Sequence, residues 1–201
     1  MLTRLTTDEA VEQLKAGALV LAPTETNYAL MCRALDGEAV ARLIEAKGRP
    51  PGKPLPVMVS GVKAFQRYGL ETPMRALAER FWPGPLTVVV PAFPGLPGAV
   101  TADTNMVGLR VTGHPIAEAI VAAMGEPLVA TSANRSGQPA ASSPEACDAA
   151  GLAGVSGLVD GGATPGGRST VVALSGGGLV VHREGPITTA MLETAWAERL
   201  R

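Results

Sequence analysis

The stretch ALVLAPTETNYAL, residues 18–30, joins a run of apolar residues to a cluster of hydrogen-bonding side chains. The apolar run ALVLA (18–22) predicts a short buried strand, because it follows Gly17 and contains no polar residue. The segment APTETNYAL (22–30) then predicts a loop at the carboxyl end of that strand. Its side chains suit either a turn that satisfies its own backbone or the wall of a binding site.

Predicted helices and strands alternate along the rest of the sequence. Thr6 and Glu9 predict a capping box for a helix that runs to about Ala16, and Asp36 is predicted to cap a helix that ends near Lys47. Further helices are predicted to begin near Ser60, Thr72, Pro115, Ser143 and Thr188, the last one running to about Leu200. Strands are predicted at 18–22, 55–60, 86–90, 106–111 and 126–130, with later β-rich segments at 157–162, 169–174 and 179–185. This pattern predicts an α/β domain (α+β in some schemes) with a mixed sheet, and a long Pro/Gly loop over 91–105.

The composition predicts one globular domain over residues 1–201. Hydrophobic residues make up 46% and charged residues 17% of the chain, so disorder is not expected. The net charge of −1 provides no general attraction to nucleic acid or anionic membrane, so any basic site must be local. No signal region or membrane-length apolar run is present, which predicts a cytoplasmic protein without membrane contact. Cys32 and Cys147 are expected to be core residues, because neither a disulfide framework nor a zinc motif is present.

Two polar segments follow predicted strands and are the natural candidates for a site. The first is PTETNY (23–28), and the second is TSANRS (131–136), which follows the apolar run EPLVA. Ligands of α/β sheets bind in the crevice at the carboxyl ends of the strands. Both segments are therefore predicted to line the same cleft.

The segment KGRPPGK, residues 47–53, contains three cations and no acid, with prolines and glycines that restrict its backbone. That composition favours an anion-binding loop. The alternative is that Lys47 and Arg49 only complement a helix C-terminus while Lys53 is solvated. Arg110, which ends the apolar run MVGLR, poses a similar choice. It pairs either with a structural carboxylate such as Asp103 or Glu118, or with the carboxylate of a ligand.

Other catalytic motifs are weak. Residues 162–169 fit a phosphate-binding P-loop except that Arg168 replaces Lys, but TVVAL follows instead of a helix, which excludes that motif. Ser132 lacks a nucleophile-elbow setting, and His114 and His182 resemble a turn residue and a sheet residue rather than catalytic bases. Cations, hydroxyls and glycines remain, a set that suits the positioning and neutralisation of a phosphorylated ligand.

Taken in order along the chain, these motifs resemble the YrdC-like family, the threonylcarbamoyl-AMP synthases of tRNA modification. The matching segments are Pro23–Tyr28 with Leu30, Lys47 with Arg49 and Pro50, Lys53–Leu55, Trp82–Thr87, Val107–Arg110, His114 with Pro115, Thr131–Gly137, Ser169 with Thr170, and Arg183 with Gly185 and Pro186. The resemblance implies a YrdC/RibB-like fold: a twisted mixed sheet flanked by helices around one large, positively lined cavity.

The resemblance also implies a reaction and its site residues. L-Threonine, bicarbonate and ATP would give threonylcarbamoyl-adenylate and pyrophosphate, and a partner transferase would pass the group to tRNAs that read ANN codons. No protein metal site is implied, because Mg²⁺ would bind through the ATP phosphates. The implied ATP-binding residues are Lys47, Arg49, Lys53, Ser132, Asn134 and Arg183, with Lys47 and Arg49 also catalytic. The implied threonine-binding residues are Thr26, Arg110, Ala130 and Ser169.

Four residues depart from the family pattern. Ala29 and Met31 replace two glycines and are expected to reshape the cleft floor, while Met58 and Arg168 replace a polar residue and a glutamate. These departures bear on amino-acid specificity. Two other functions fit the same motifs: a noncatalytic protein that binds double-stranded RNA or tRNA, or acts in ribosome maturation, and an enzyme that makes carbamoyl-adenylate.

Overall fold

A computed structural model of the chain describes residues 1–68, 70 and 72–199. Its strands are β1 (Arg4–Leu5), β2 (Leu19–Pro23), β3 (Tyr28–Arg33), β4 (Val57–Met58), β5 (Leu86–Pro91), β6 (Met106–Arg110), β7 (Leu128–Ser132), β8 (Val155–Val159), β9 (Thr170–Ser175) and β10 (Gly178–Arg183). Its helices are α1 (Thr7–Lys15), α2 (Gly37–Lys47), α3 (Ala64–Arg67), α4 (Arg75–Phe81), α5 (Gly98–Thr101), α6 (Pro115–Met124), α7 (Pro144–Ala149) and α8 (Thr189–Glu198). The strands form one sheet in the order β1-β8-β2-β3-β7-β4-β6-β5-β9-β10.

The sheet contains both parallel and antiparallel pairs, which confirms the prediction of a mixed sheet. Strand β2 pairs parallel with β8 and antiparallel with β3. Strand β5 likewise pairs parallel with β9 and antiparallel with β6. The parallel pairs need long crossovers, and the helices α1 to α7 lie in the connections between strands, while α8 follows the last strand.

Most of the predicted loop APTETNYAL belongs to strands, so the predicted loop was too long. Only 24–27 form the turn, and Tyr28 begins β3, which pairs back onto β2 with Tyr28 opposite Pro23. The run YALMCR is apolar enough to be buried between β2 and β7, so burial of the strand outweighs the polar composition before it.

Alternate residues of the strands pack into two separate hydrophobic cores, as the two-residue period of a strand requires. In β2, Leu19 and Leu21 face the larger core, which the helices α2, α4 and α8 cover. Val20 and Ala22 face a smaller core, which α1 and α6 cover. Among the described residues, α1 and α6 are the helices of this smaller core, so part of this face of the ten-stranded sheet is left without a helical layer.

Most helix ends follow the predicted caps. The Thr6–Glu9 capping box is present, Asp36 accepts the amide protons of the first turn of α2, and Gly48 ends that helix in a left-handed conformation. The predictions for Ser60 and Thr72 were wrong, because α3 and α4 begin several residues later without a side-chain cap. Other caps agree with prediction at Ser143 and Thr188, while the predicted end of the last helix at Leu200 lies outside the described residues.

Several strand bounds also differ from prediction. Strand β4 is only two residues long, and the prolines at 54 and 56 account for its late start at Val57. Strand β7 extends to Ser132, so the segment TSANRS begins inside the sheet rather than after it. The Pro/Gly loop contains the one-turn helix α5, followed by left-handed residues at Ala102, Asp103 and Asn105.

The two cysteines are buried, as predicted, and burial raises the pKa of both thiols, Cys32 and Cys147, to about 12. Such thiols are protonated and unreactive at neutral pH. Within the described part of the chain the longest helix has 11 residues, and none is long and apolar enough to cross a bilayer.

Candidate active site

The part of the second sheet face that α1 and α6 leave open forms the floor of a cavity of about 720 Å³. Both predicted segments line it, through Thr24 and Thr26 in the first segment and Ser132 and Asn134 in the second. Four arginines also line the cavity: Arg49, Arg110, Arg168 and Arg183. Among the described residues that line it there is no aspartate or glutamate, so the wall is cationic.

Eight of the ten residues predicted to bind substrates line this cavity. They are Thr26, Arg49, Arg110, Ala130, Ser132, Asn134, Ser169 and Arg183. Lys47 and Lys53 do not line it. The Lys53 side chain is exposed, and its backbone carbonyl accepts a hydrogen bond from Arg49 Nε at 3.2 Å.

Lys47 lies beneath the segment TSANRS rather than in the cavity wall. It is 2% exposed, and its ammonium donates to the carbonyl of Ser132, to the carbonyl of Asn134 at 2.8 Å and to Asn134 Oδ1 at 3.2 Å. Its own carbonyl accepts from Ser136 N at 2.8 Å. Burial, with the nearby charge of Arg49, lowers the pKa of Lys47 to about 8. All three protons of the ammonium are therefore used to hold Ser132 and Asn134 in place.

The polar side chains that Lys47 supports are linked to each other. Ser132 Oγ donates to Asn134 Oδ1 at 2.6 Å, and Asn134 Nδ2 donates to the carbonyl of Gln138 at 2.6 Å. Elsewhere in the cavity lining, Arg49 Nη2 donates to the carbonyl of Pro54 at 2.7 Å, and burial lowers the pKa of Arg49. Hydrogen bonds within the chain thus orient Arg49, Ser132 and Asn134.

Arg110 pairs with a carboxylate that the sequence did not indicate. Its Nη2 lies 2.7 Å from Glu25 Oε1, so the suggested partners Asp103 and Glu118 were wrong. The guanidinium side chain is 10% exposed, and its Nε is buried without a hydrogen-bond partner among the described residues. Nη2 also lies 3.5 Å from Thr26 Oγ1. An unpaired buried donor at a cavity wall is the feature expected where a ligand completes the hydrogen bonding.

A chain of hydroxyls lies beside Arg110. Ser169 Oγ is 2.9 Å from Thr87 Oγ1, and Arg183 binds both the carbonyl of Ser169 at 2.9 Å and its Oγ at 3.1 Å. Sequence reasoning missed Thr87, although it is the one polar residue in the apolar run LTVVV. Gly108 keeps this region open, because a Cβ there would lie 2.9 Å from Thr87 Cγ2.

The residues that depart from the family pattern divide into two groups. Ala29, Met58 and Arg168 line the cavity and can affect what it accepts. Met31 is buried in the smaller core with α1 and α6, so the expectation that it reshapes the cleft floor was wrong. The segment 162–169 leads directly into β9 without a helix, which agrees with the exclusion of a P-loop.

Comparisons with known proteins agree with the fold and the site. A family model described as telomere recombination, named for Sua5, YciO and YrdC, matches residues 12–185. The threonylcarbamoyl-AMP synthase of Pyrococcus abyssi is 36% identical over 188 residues, which cover 92% of this chain and 55% of that relative. The enzyme of the same name from Xanthomonas campestris is 39% identical over 160 residues, covering 77% of this chain and 84% of that relative.

A solved structure gives the same result. The structure of P. abyssi Sua5 complexed with L-threonine superposes with a TM-score of 0.88 at 35% sequence identity, covering 96% of this chain and 58% of that chain. The present chain thus spans little more than half the length of its Pyrococcus relative. Because the matching segments extend over most of this chain in both sequence and fold, the chain belongs to the Sua5, YciO and YrdC family.

Proposed function

We propose that this chain makes threonylcarbamoyl-adenylate and pyrophosphate from L-threonine, bicarbonate and ATP. The observation that carries the proposal is that one cavity has two different parts. One part is lined by Arg110 and hydroxyl side chains, and the other by the remaining arginines, Arg49, Arg168 and Arg183. Arg110, with its unpaired Nε, stands among the hydroxyls of Thr26, Thr87 and Ser169 and suits a small amino acid. The names of the relatives, and the L-threonine bound to Pyrococcus Sua5, support the same assignment.

The chemistry requires alignment and charge neutralisation rather than a protein nucleophile. The free amine of threonine condenses with bicarbonate to give a carbamate and water. A carbamate oxygen then attacks the α-phosphorus of ATP, the bond from that phosphorus to the bridging oxygen breaks, and pyrophosphate leaves. Arg110 would hold the threonine carboxylate, while Arg49 and Arg183 would neutralise the phosphates. Ser132 and Asn134 would orient the nucleotide by hydrogen bonds.

Mg²⁺ would accompany ATP and would neutralise part of the phosphate charge. The cavity lining supplies hydroxyl and amide oxygens but no carboxylate among the described residues, so the ion would be held mainly by the phosphates. The product is an activated adenylate, which a second enzyme must consume by transfer to tRNA. The four arginines converge inside a cavity rather than along an open stripe, which favours a small phosphorylated ligand over noncatalytic RNA binding.

A pyrophosphate-release assay tests this function. With ATP and Mg²⁺ present, pyrophosphate should appear only when both L-threonine and bicarbonate are added. Release that requires neither compound would contradict the proposal. Release with carbamoyl phosphate in their place would assign the chain to carbamoyl-adenylate synthesis instead.

The structure separates the contributions of the cations of the KGRPPGK segment. Arg49→Ala should raise the KM for ATP by about 10- to 100-fold, because a charge-assisted bond to phosphate is lost from the cavity wall. Lys53→Ala should raise it by less than about 3-fold, since an exposed ammonium contributes little. Lys63→Ala, a change of another exposed lysine, is the control. Equal effects of the Arg49 and Lys53 changes would contradict this assignment.

A further inference from the structure

Glu25 is the one residue of the turn 24–27 that does not line the cavity. Its neighbours Thr24 and Thr26 line the wall and are 2% and 6% exposed. The carboxylate of Glu25 lies instead behind Arg110, with Oε1 at 2.7 Å from Arg110 Nη2. Glu25 therefore contacts the arginine that we assign to the amino acid, without being a wall residue itself.

Oε1 contacts Arg110 as an ion pair but has no hydrogen-bond partner among the described residues, whereas Oε2 accepts a hydrogen bond. Thr112 Oγ1 donates to Glu25 Oε2 at 2.7 Å, and the same hydroxyl accepts from His114 N at 3.2 Å. Burial by itself would raise the pKa of Glu25, but the charge of Arg110 and the hydrogen bond from Thr112 outweigh it and leave that pKa below its usual range. The group is thus an ionised carboxylate in one defined orientation.

The turn does not depend on this carboxylate for its shape. Thr24 Oγ1 donates to the carbonyl of Asn27 at 2.6 Å and accepts the amide of Thr26 at 3.2 Å. The carbonyl of Thr26 accepts from Gly166 N at 2.7 Å. Because these bonds already define the turn, the ion pair that Glu25 makes is available for another role.

The pair makes the charge of the cavity uneven. Among the described residues, Arg49, Arg168 and Arg183 form no ion pair with an aspartate or glutamate, whereas Arg110 is paired. Burial and the charges of Arg168 and Arg110 lower the pKa of Arg183, which shows the repulsion within this group of cations. The wall near Arg110 is therefore close to neutral, while the rest of the wall is cationic.

We infer that Glu25 is a positioning and specificity residue, which orients Arg110 and makes its end of the cavity select a zwitterionic α-amino acid over other anions. This inference rests on the proposed function. With Nη2 in contact with Glu25, the remaining N–H groups of Arg110, a residue of the cavity wall, are left to a ligand carboxylate. The negative charge behind the arginine disfavours a phosphate or a second carboxylate there, and it favours the ammonium group of an amino acid.

Calorimetric titrations of the full chain with three ligands test the inference. The ligands are L-threonine, 3-hydroxybutyrate, which is threonine without its amine, and inorganic phosphate. Glu25→Gln should weaken L-threonine binding by at least about 10-fold while 3-hydroxybutyrate and phosphate bind as well as before or better. Thr112→Val should give a smaller change in the same direction. Glu118→Gln, which alters an exposed carboxylate on α6, should change nothing.

The outcomes separate this inference from the proposed function. If the unaltered chain does not bind L-threonine, the proposed function and the inference both fail. If it binds L-threonine and Glu25→Gln leaves the preference for L-threonine over 3-hydroxybutyrate intact, only the inference fails. A general structural role would raise the KM for ATP along with that for threonine, whereas the inference expects the KM for ATP to stay within about 2-fold. If Glu25→Gln does not fold, the preference of Thr112→Val for L-threonine over 3-hydroxybutyrate decides whether the inference holds.

Discussion

Replacing Arg110 by Met is expected to lower the free energy of unfolding by about 3–5 kcal/mol and to abolish threonine-dependent pyrophosphate release. The stability loss arises because Glu25, a mostly buried carboxylate, loses its charge partner. The loss of activity arises because Arg110 is the cation assigned to the threonine carboxylate, whereas Arg183, which binds Ser169, is assigned to the phosphates. Urea denaturation and the pyrophosphate assay measure the two effects separately.

A double substitution separates these two roles of Arg110. Glu25→Gln combined with Arg110→Met removes both charges, so it should recover most of the lost stability without recovering activity. Arg33→Met is the matched control, because Arg33 pairs with Glu126 at 2.5 Å but is 35% exposed. That change should cost less than about 1 kcal/mol. If the double variant is no more stable than Arg110→Met alone, the buried pair is not the source of the stability loss.

Local patterns predicted much of the fold because the residues that decide it are close in sequence. The capping box at Thr6, the αL residue Gly48 and the apolar run 18–22 each specify an element without reference to distant residues. The extent of β3 was not predictable in this way. Its residues follow a polar turn, and only the neighbouring strand β7, about a hundred residues later in the chain, makes YALMCR a buried central strand.

The candidate site was predictable to the extent that its residues are in motifs. Most of the side chains chosen from the motifs line one cavity, but their partners were not visible in the sequence. Glu25 and Arg110 are 85 positions apart, and Thr87 and Ser169 are 82 apart, so only the strand order brings each pair together. The direction of the Lys47 ammonium depends on α2 ending beside β7, which no local pattern encodes.

Lys47 gives the second large expected effect, because its ammonium supports Ser132 and Asn134 from below. Lys47→Met should reduce turnover by about 100-fold, since displacement of aligned groups by as little as 1 Å costs that much. The residue occupies the last turn of α2, so Lys15→Met is the matched control: Lys15 also ends a helix, but it is exposed. That control should keep full activity. Comparable losses of turnover in both variants would mean that Lys47 acts only by stabilising the C-terminus of α2.

The pH dependence of stability provides a separate measurement of the same contact. The folded chain lowers the pKa of Lys47 from 10.5 to about 8, so between these values the unfolded chain binds more protons than the folded one. The free energy of unfolding should therefore rise with pH across this window, by about 3 kcal/mol relative to Lys47→Met, which lacks the titrating group. The two curves should run parallel well below pH 8, where Lys47 is charged in both states. Parallel curves above pH 8 as well would mean that the ammonium is not buried beneath Ser132 and Asn134, and the explanation of its catalytic effect would then fail with it.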